Sequence, residues 1–162
     1  MSEHIERRGT IVLAGPVERV FALFTPAGET AWVPGWEPEY LYPTSGATGD
    51  GMVWRTGQGG ETTLWACVAW DPAGFRARYV RVNPGSRFGF VEVFCRAVAA
   101  DRTEATVGYA FTALGPAGAA WLDTFSEAAF AAMLETWRVA IDGWLGADAA
   151  AFQGGEAPGT LA

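Results

Sequence analysis

The chain has 162 residues and a formal net charge of −7, enough for one domain with a real core or a small enclosed cavity. Half of it is hydrophobic, with ten Phe, eight Trp and four Tyr, and only 18% is charged, which excludes wholesale disorder. All eleven basic residues are Arg and the single His is His4, which excludes a Schiff-base lysine, a histidine-rich catalytic metal centre and a Ser-His-Asp triad on a core histidine.

Residues 5–14 end in the apolar run Ile11-Val12-Leu13-Ala14 and read as a first strand. Gly15 breaks it. Pro16 opens a helix where a missing N–H is harmless, and Val17, Val20, Phe21 and Phe24 recur at helical spacing. Thr25-Pro26 ends that helix, since the residue before proline disfavours helical geometry. A second short helix is expected over Pro26 to Trp32, stopping at Pro34-Gly35.

Beyond this point the pattern has period two. Strands are expected over 37–42, 52–56, 62–70, 75–83, 87–99 and 103–114. Ser45 to Gly51 is a glycine-rich loop. It lacks the Gly-Lys-Ser/Thr ending of a nucleotide loop, and no helix follows it, so it reads as a turn or a gate. The later connectors carry turn chemistry: Asp71-Pro72-Ala73-Gly74, Asn83-Pro84-Gly85-Ser86 and Ala99-Ala100-Asp101-Arg102. Strands joined this closely form an antiparallel meander. Pro116 starts one long helix to about Leu145. Its apolar stripe is Leu122, Phe125, Ala129, Met133, Trp137 or Thr136, Ala140 and Trp144. Gly146 is expected to stop it, so the domain spans 1–146 and residues 147–162 form a disordered tail.

Cys67 and Cys95 fall in strands without a C-x-x-C spacing and read as buried free thiols rather than a disulfide framework or zinc site. His4 is expected to be exposed. No long uncharged apolar run suggests a membrane span, and the N-terminus lacks a signal-peptide pattern, so a cytoplasmic protein is the default. Arg76, Arg78 and Arg81 come closest to a basic patch, but they read as a solvated strand face, and no nucleic-acid partner is expected.

Strand, helix pair, meander and long final helix together resemble the helix-grip fold of the START-like (SRPBCC) superfamily, which includes the birch-pollen-allergen type and polyketide cyclases. Gly15-Pro16-Val17-Glu18-Arg19-Val20-Phe21-Ala22-Leu23-Phe24 looks like that family's entry into its first helix. Trp32-Val33-Pro34-Gly35-Trp36 looks like the tryptophan segment before its second strand. Asp71-Pro72, Tyr79-Val80-Arg81-Val82 and Tyr109-Ala110-Phe111-Thr112-Ala113-Leu114 resemble its later strands. The resemblance covers roughly residues 5–145 and implies an α+β fold: a curved antiparallel sheet wrapped around a long C-terminal helix, with two short helices after the first strand. It also implies a cavity between sheet and helix for a hydrophobic or amphipathic small molecule, such as a lipid or polyketide. No cofactor or metal is implied. None of these motifs is a catalytic signature, and the fold hosts many functions.

Hairpin register proposes which residues face that cavity. If Val82 pairs with Arg87 and Val98 with Thr103, one face collects Phe75, Tyr79, Arg81, Phe88, Phe90, Glu92, Phe94, Val107, Tyr109 and Phe111. The other carries Arg76, Arg78, Arg87, Val91, Val93, Cys95 and Thr106. A one-residue slip reverses such an assignment. Glu92 stands out, because a carboxylate among aromatics is costly to bury unpaired. It reads either as a structural polar bridge or as an acid/base group, with Arg81 and Tyr109 as partners; neighbouring aromatics would raise its pKa and Arg81 would lower it. Trp32, Trp36 and Trp54 serve packing or the cavity rim. Phe125, Ala129 and Met133 are expected to cover the cavity or pack the core.

Two functions follow as expectations. One is a module that binds a hydrophobic small molecule on Trp32, Trp36, Trp54, Tyr79, Phe88, Phe90, Phe94, Phe111, Phe125, Ala129 and Met133. The other is an aromatase/cyclase-type enzyme using Glu92, Tyr109 and Arg81. A third class, an interaction protein, requires an exposed apolar patch. A homodimer is a common assembly for so small a domain.

Overall fold

A computed structural model describes residues 2–159, with side chains as far as Asp148 except Gln58. Seven strands form one antiparallel sheet in the order β1-β7-β6-β5-β4-β3-β2. They are β1 (His4–Leu13), β2 (Glu39–Tyr42), β3 (Val53–Thr56), β4 (Thr63–Asp71), β5 (Arg76–Asn83), β6 (Arg87–Ala99) and β7 (Arg102–Ala113). Two short helices follow β1: α1 (Val17–Ala22) and α2 (Pro26–Glu29). Thr25 separates them and caps α2, its hydroxyl accepting from the Gly28 N–H at 3.0 Å.

The C-terminal helix is two helices. α3 (Pro116–Thr124) and α4 (Glu127–Gly159) meet at Phe125-Ser126. Ser126 begins the second, its Oγ accepting from the Ala129 N–H at 3.1 Å. This break resets the helical phase. The buried residues of α4 are Phe130, Leu134, Ile141 and Leu145, with Met133, Trp137, Ala140 and Trp144 half-buried beside them. Ala129, expected on the apolar stripe, is exposed. Gly146 does not end the helix, which continues to Gly159; the tail expected over 147–162 is therefore helical as far as the described residues reach. Among these residues no helix is long and apolar enough to cross a membrane.

The largest departure from expectation is the register of β6. Asn83, not Val82, pairs with Arg87. Ser86 N–H returns to the Asn83 carbonyl at 2.9 Å, and Gly85 takes a φ of 77°. Pro84-Gly85 thus makes the two central positions of a type II turn, where the third residue needs positive φ. The connector uses three residues instead of four, and β6 turns over. Phe88, Phe90, Glu92 and Phe94 face outward, while Arg87, Val91, Val93 and Cys95 face the core. On β7, pairing of Ala97 with Thr103 shifts the next register by one in the opposite sense. The two shifts cancel, so Val107, Tyr109 and Phe111 keep the inward positions expected for them.

The outward aromatics are covered by arginines. The Arg76 guanidinium lies 4.0 Å from the Phe94 ring centroid and that of Arg78 4.4 Å from Phe90. Cys67 and Cys95 are buried free thiols. Burial pushes them up to about 11 and about 12. His4 lies near the sheet edge, its Nδ1 3.0 Å from the Thr112 hydroxyl.

Candidate functional site

A cavity of about 230 Å³ lies between the inner face of the sheet, the α1–α2 segment and α4. Its walls follow from local anchoring. Trp32 donates its indole N–H to the Leu23 carbonyl at 2.8 Å, and Trp36 to that of Pro26 at 2.8 Å. These bonds hold the 32–36 segment against the short helices and leave the ring faces to the cavity. Trp54 and Trp65, paired across β3 and β4, stack with ring planes 6° apart. Trp137 of α4 meets Trp32 edge to face at 5.5 Å. Val91 and Val93 of β6 and Met133 of α4 complete the apolar lining.

Three ionisable groups interrupt it. Arg81 of β5 lies over the Trp65 ring at 4.7 Å and reaches toward Phe111 at 5.5 Å. Its Nε is buried without an acceptor. Burial lowers its pKa, opposed chiefly by the Tyr109 hydroxyl beside it. Tyr109 of β7 is pushed up to about 12 by burial, with the Arg81 charge acting against that rise. Glu29, the last residue of α2, keeps some accessible surface, yet its carboxyl is enclosed by protein. Burial pushes it up to about 8, and Arg81 opposes the rise. Near neutral pH the Glu29 carboxyl is therefore mostly protonated and Arg81 remains the fixed charge. Tyr79 also faces the cavity, but its hydroxyl is committed to the Phe24 carbonyl at 2.9 Å.

Of the residues the sequence singled out, Trp32, Trp36, Trp54, Tyr79, Met133, Arg81 and Tyr109 come together on this cavity. Phe111 and Phe125 do not line it. They pack against each other at 5.5 Å and against Trp121 behind Tyr109. Phe88, Phe90 and Phe94 lie on the opposite face of the sheet, and Ala129 is exposed on α4. Glu92 is a correction of the same origin. It is exposed on the outer face, 3.9 Å from Arg78 and on the far side of the sheet from Tyr109. The register slip that moves it also removes the cost of burying it. Glu29 was not singled out. Pro26-Ala27-Gly28-Glu29 opens the short helix expected over Pro26 to Trp32, and nothing in it marks its acid as enclosed.

None of residues 45–51 lines the cavity. Among the described residues, no three His, Cys, Asp or Glu side chains gather as metal ligands. The cavity offers aromatic surface, one guanidinium, one carboxyl and hydroxyls. This set can hold a flat apolar molecule and exchange a proton with it.

No family model matches the chain, and no curated protein does. Solved structures do. The di-domain ARO/CYC BexL of the BE-7585A biosynthetic pathway superposes with a TM-score of 0.64 at 16% identity, over 85% of this chain and 46% of BexL. This chain thus spans about half the length of that di-domain protein. Ara h 8.0201 gives a TM-score of 0.62 at 16% identity, over 87% of this chain and 97% of its own. Norcoclaurine synthase from Thalictrum flavum, in complex with dopamine and hydroxybenzaldehyde, gives 0.59 at 11% identity, over 82% and 83%. Across these likenesses the shared feature is a single architecture, and the chain has the START-like helix-grip fold that its sequence resembles.

Proposed function

We propose that this protein binds a small apolar or amphipathic molecule in the cavity between the sheet and α4. The observation that carries this reading is the cavity itself, walled by tryptophans on three elements and holding Arg81 with its Nε unpartnered. A domain that only needed a core would close such a space, because packed interiors leave few voids larger than water. The volume sets the scale. An engineered apolar cavity of about 150 Å³ takes benzene, so about 230 Å³ suits one or two fused rings. It falls below the range of roughly 300–1,000 Å³ usual for ligand pockets, which favours a compact ring system over an extended lipid or long poly-ketone.

Titration calorimetry with 2-naphthamide tests the reading. Binding is expected, and Val91→Phe, which fills the cavity, is expected to abolish it while leaving the circular dichroism unchanged. Binding that survives Val91→Phe would place the ligand elsewhere.

A second reading is favoured by Glu29, Arg81 and Tyr109 together. A carboxyl pushed up to about 8 beside a guanidinium can move a proton to or from a carbon next to a carbonyl, while Arg81 stabilises the enolate. This is the chemistry of an aromatase/cyclase-type enzyme acting on a short poly-ketone. Turnover of such an analogue, lost in Glu29→Gln, would establish it.

A further inference from the structure

The cavity's polar groups are unbalanced, and the imbalance selects a ligand. Among the lining residues, the buried polar atoms without partners are the Arg81 Nε and the Trp54 Nε1. Both are donors, and the one carboxyl on the cavity, Glu29, lies near Arg81 but forms no ion pair with it and is held mostly protonated by burial. Arg81 forms no ion pair among the described residues. Its charge rests on the faces of Trp65 and Phe111, and its guanidinium hydrogen-bonds the Tyr109 hydroxyl, which offers no opposing charge. The nearby Arg87 does not relieve this, because it carries a like charge and is already paired with Glu61. A buried cation without an anion is costly, and so is an unpaired buried donor.

We propose that the cavity takes an aromatic carboxylate of one or two rings, its oxygens on Arg81 and its ring among Trp32, Trp54 and Trp65. This rests on the reading of the cavity as a ligand site. The planar guanidinium fits a carboxylate with two parallel hydrogen bonds. The aromatic walls take the ring, and the small volume excludes long chains. The protein's overall charge of −7 works against binding an anion at the surface, so discrimination falls to this one buried residue.

The test compares two probes of nearly equal shape, 2-naphthoate and neutral 2-naphthamide, by calorimetry on the full chain near pH 6.5. The wild type is expected to bind naphthoate at least about tenfold more tightly, the worth of one charge-assisted hydrogen bond. Arg81→Met should remove that preference and keep naphthamide binding. Arg81→Lys, which retains the charge without the planar fork, should keep part of it and carries the test if the Met variant does not fold. Equal affinities in the wild type would overturn the anion assignment and leave the ligand site standing. Binding of neither probe would overturn both.

Discussion

Gly89 lies directly across the β5–β6 ladder from Arg81 and, on its other side, across from Phe111. A Cβ built there would come 2.6 Å from the Phe111 ring and 2.9 Å from the Arg81 Cγ. The absence of a side chain at Gly89 thus leaves room for the Arg81 stem that carries its guanidinium over Trp65. Gly89→Ala is expected to cost about 1–3 kcal/mol in denaturant unfolding, the usual penalty for overpacking. It should also weaken 2-naphthoate more than 2-naphthamide, because it displaces Arg81. An unchanged ratio of the two affinities would show that Arg81 does not depend on this space.

Glu29 links folding to pH. Its carboxyl is raised in the folded protein from an ordinary 4.5 to about 8. A group raised in this way supports folding fully below its unfolded value, and that support is lost as pH climbs to the folded value. Unfolding free energy measured against Glu29→Gln should therefore decline between about pH 5 and about pH 8 and level off above. The slope is at most about 1.4 kcal/mol per pH unit. Arg81, Tyr79 and Tyr109 face the same space, and none is expected to change charge in that window. A difference between the two proteins that is flat across the window would mean that the carboxyl is solvated.

Much of this was legible beforehand, and the failures share one cause. The antiparallel meander, the two short helices and the inward Tyr79, Arg81 and Tyr109 follow from alternation and turn chemistry, whereas the pairing of β1 with β7 does not. β6 reads wrongly because three phenylalanines on one face, Phe88, Phe90 and Phe94, look like a core. The Arg76 and Arg78 guanidinium groups of β5 supply an outer cover that periodicity does not reveal. Whether Asn83 or Val82 closes the turn is a difference of one residue, and it reverses every β6 side chain. The α3–α4 break was hidden similarly. Ser126 is an ordinary helix residue until its hydroxyl is seen capping Ala129. Glu29 lay beyond reach, since its enclosure depends on Arg81 and Tyr109 from distant strands.

Two ion pairs separate buried from exposed electrostatics. Arg87 is almost wholly buried, lies 3.7 Å over the Trp121 ring and is held by both carboxylate oxygens of Glu61. Glu61 also accepts from Asn83 Nδ2 at 3.0 Å. Glu61→Ala leaves the buried Arg87 charge without its carboxylate, with only Ser86 Oγ still accepting from its Nη1, and is expected to cost about 2 kcal/mol. Glu104→Ala removes only the half-buried partner of the exposed Arg96 and should cost less than about 1 kcal/mol. Equal costs in urea unfolding would contradict the distinction.

The two cysteines should be inert in the native protein. Burial holds Cys67 and Cys95 as neutral thiols up to about 11 and about 12, and only the thiolate is nucleophilic. Iodoacetamide near pH 8 is expected to leave both unmodified by mass spectrometry over an hour and to alkylate both after unfolding. Rapid native alkylation of either would show that the core opens locally.

The indole signals give the most direct test that the cavity is the binding site. In a 1H–15N spectrum the side-chain N–H groups of Trp32, Trp36, Trp54, Trp65 and Trp137 report on the cavity, and those of Trp70, Trp121 and Trp144 report on other surroundings. Titration with 2-naphthoate is predicted to shift the first group, with Trp32, Trp54 and Trp65 moving most because the ring lies among them. Saturation of the protein with the Trp54 signal unmoved, or with shifts confined to Trp70, Trp121 and Trp144, would contradict the account.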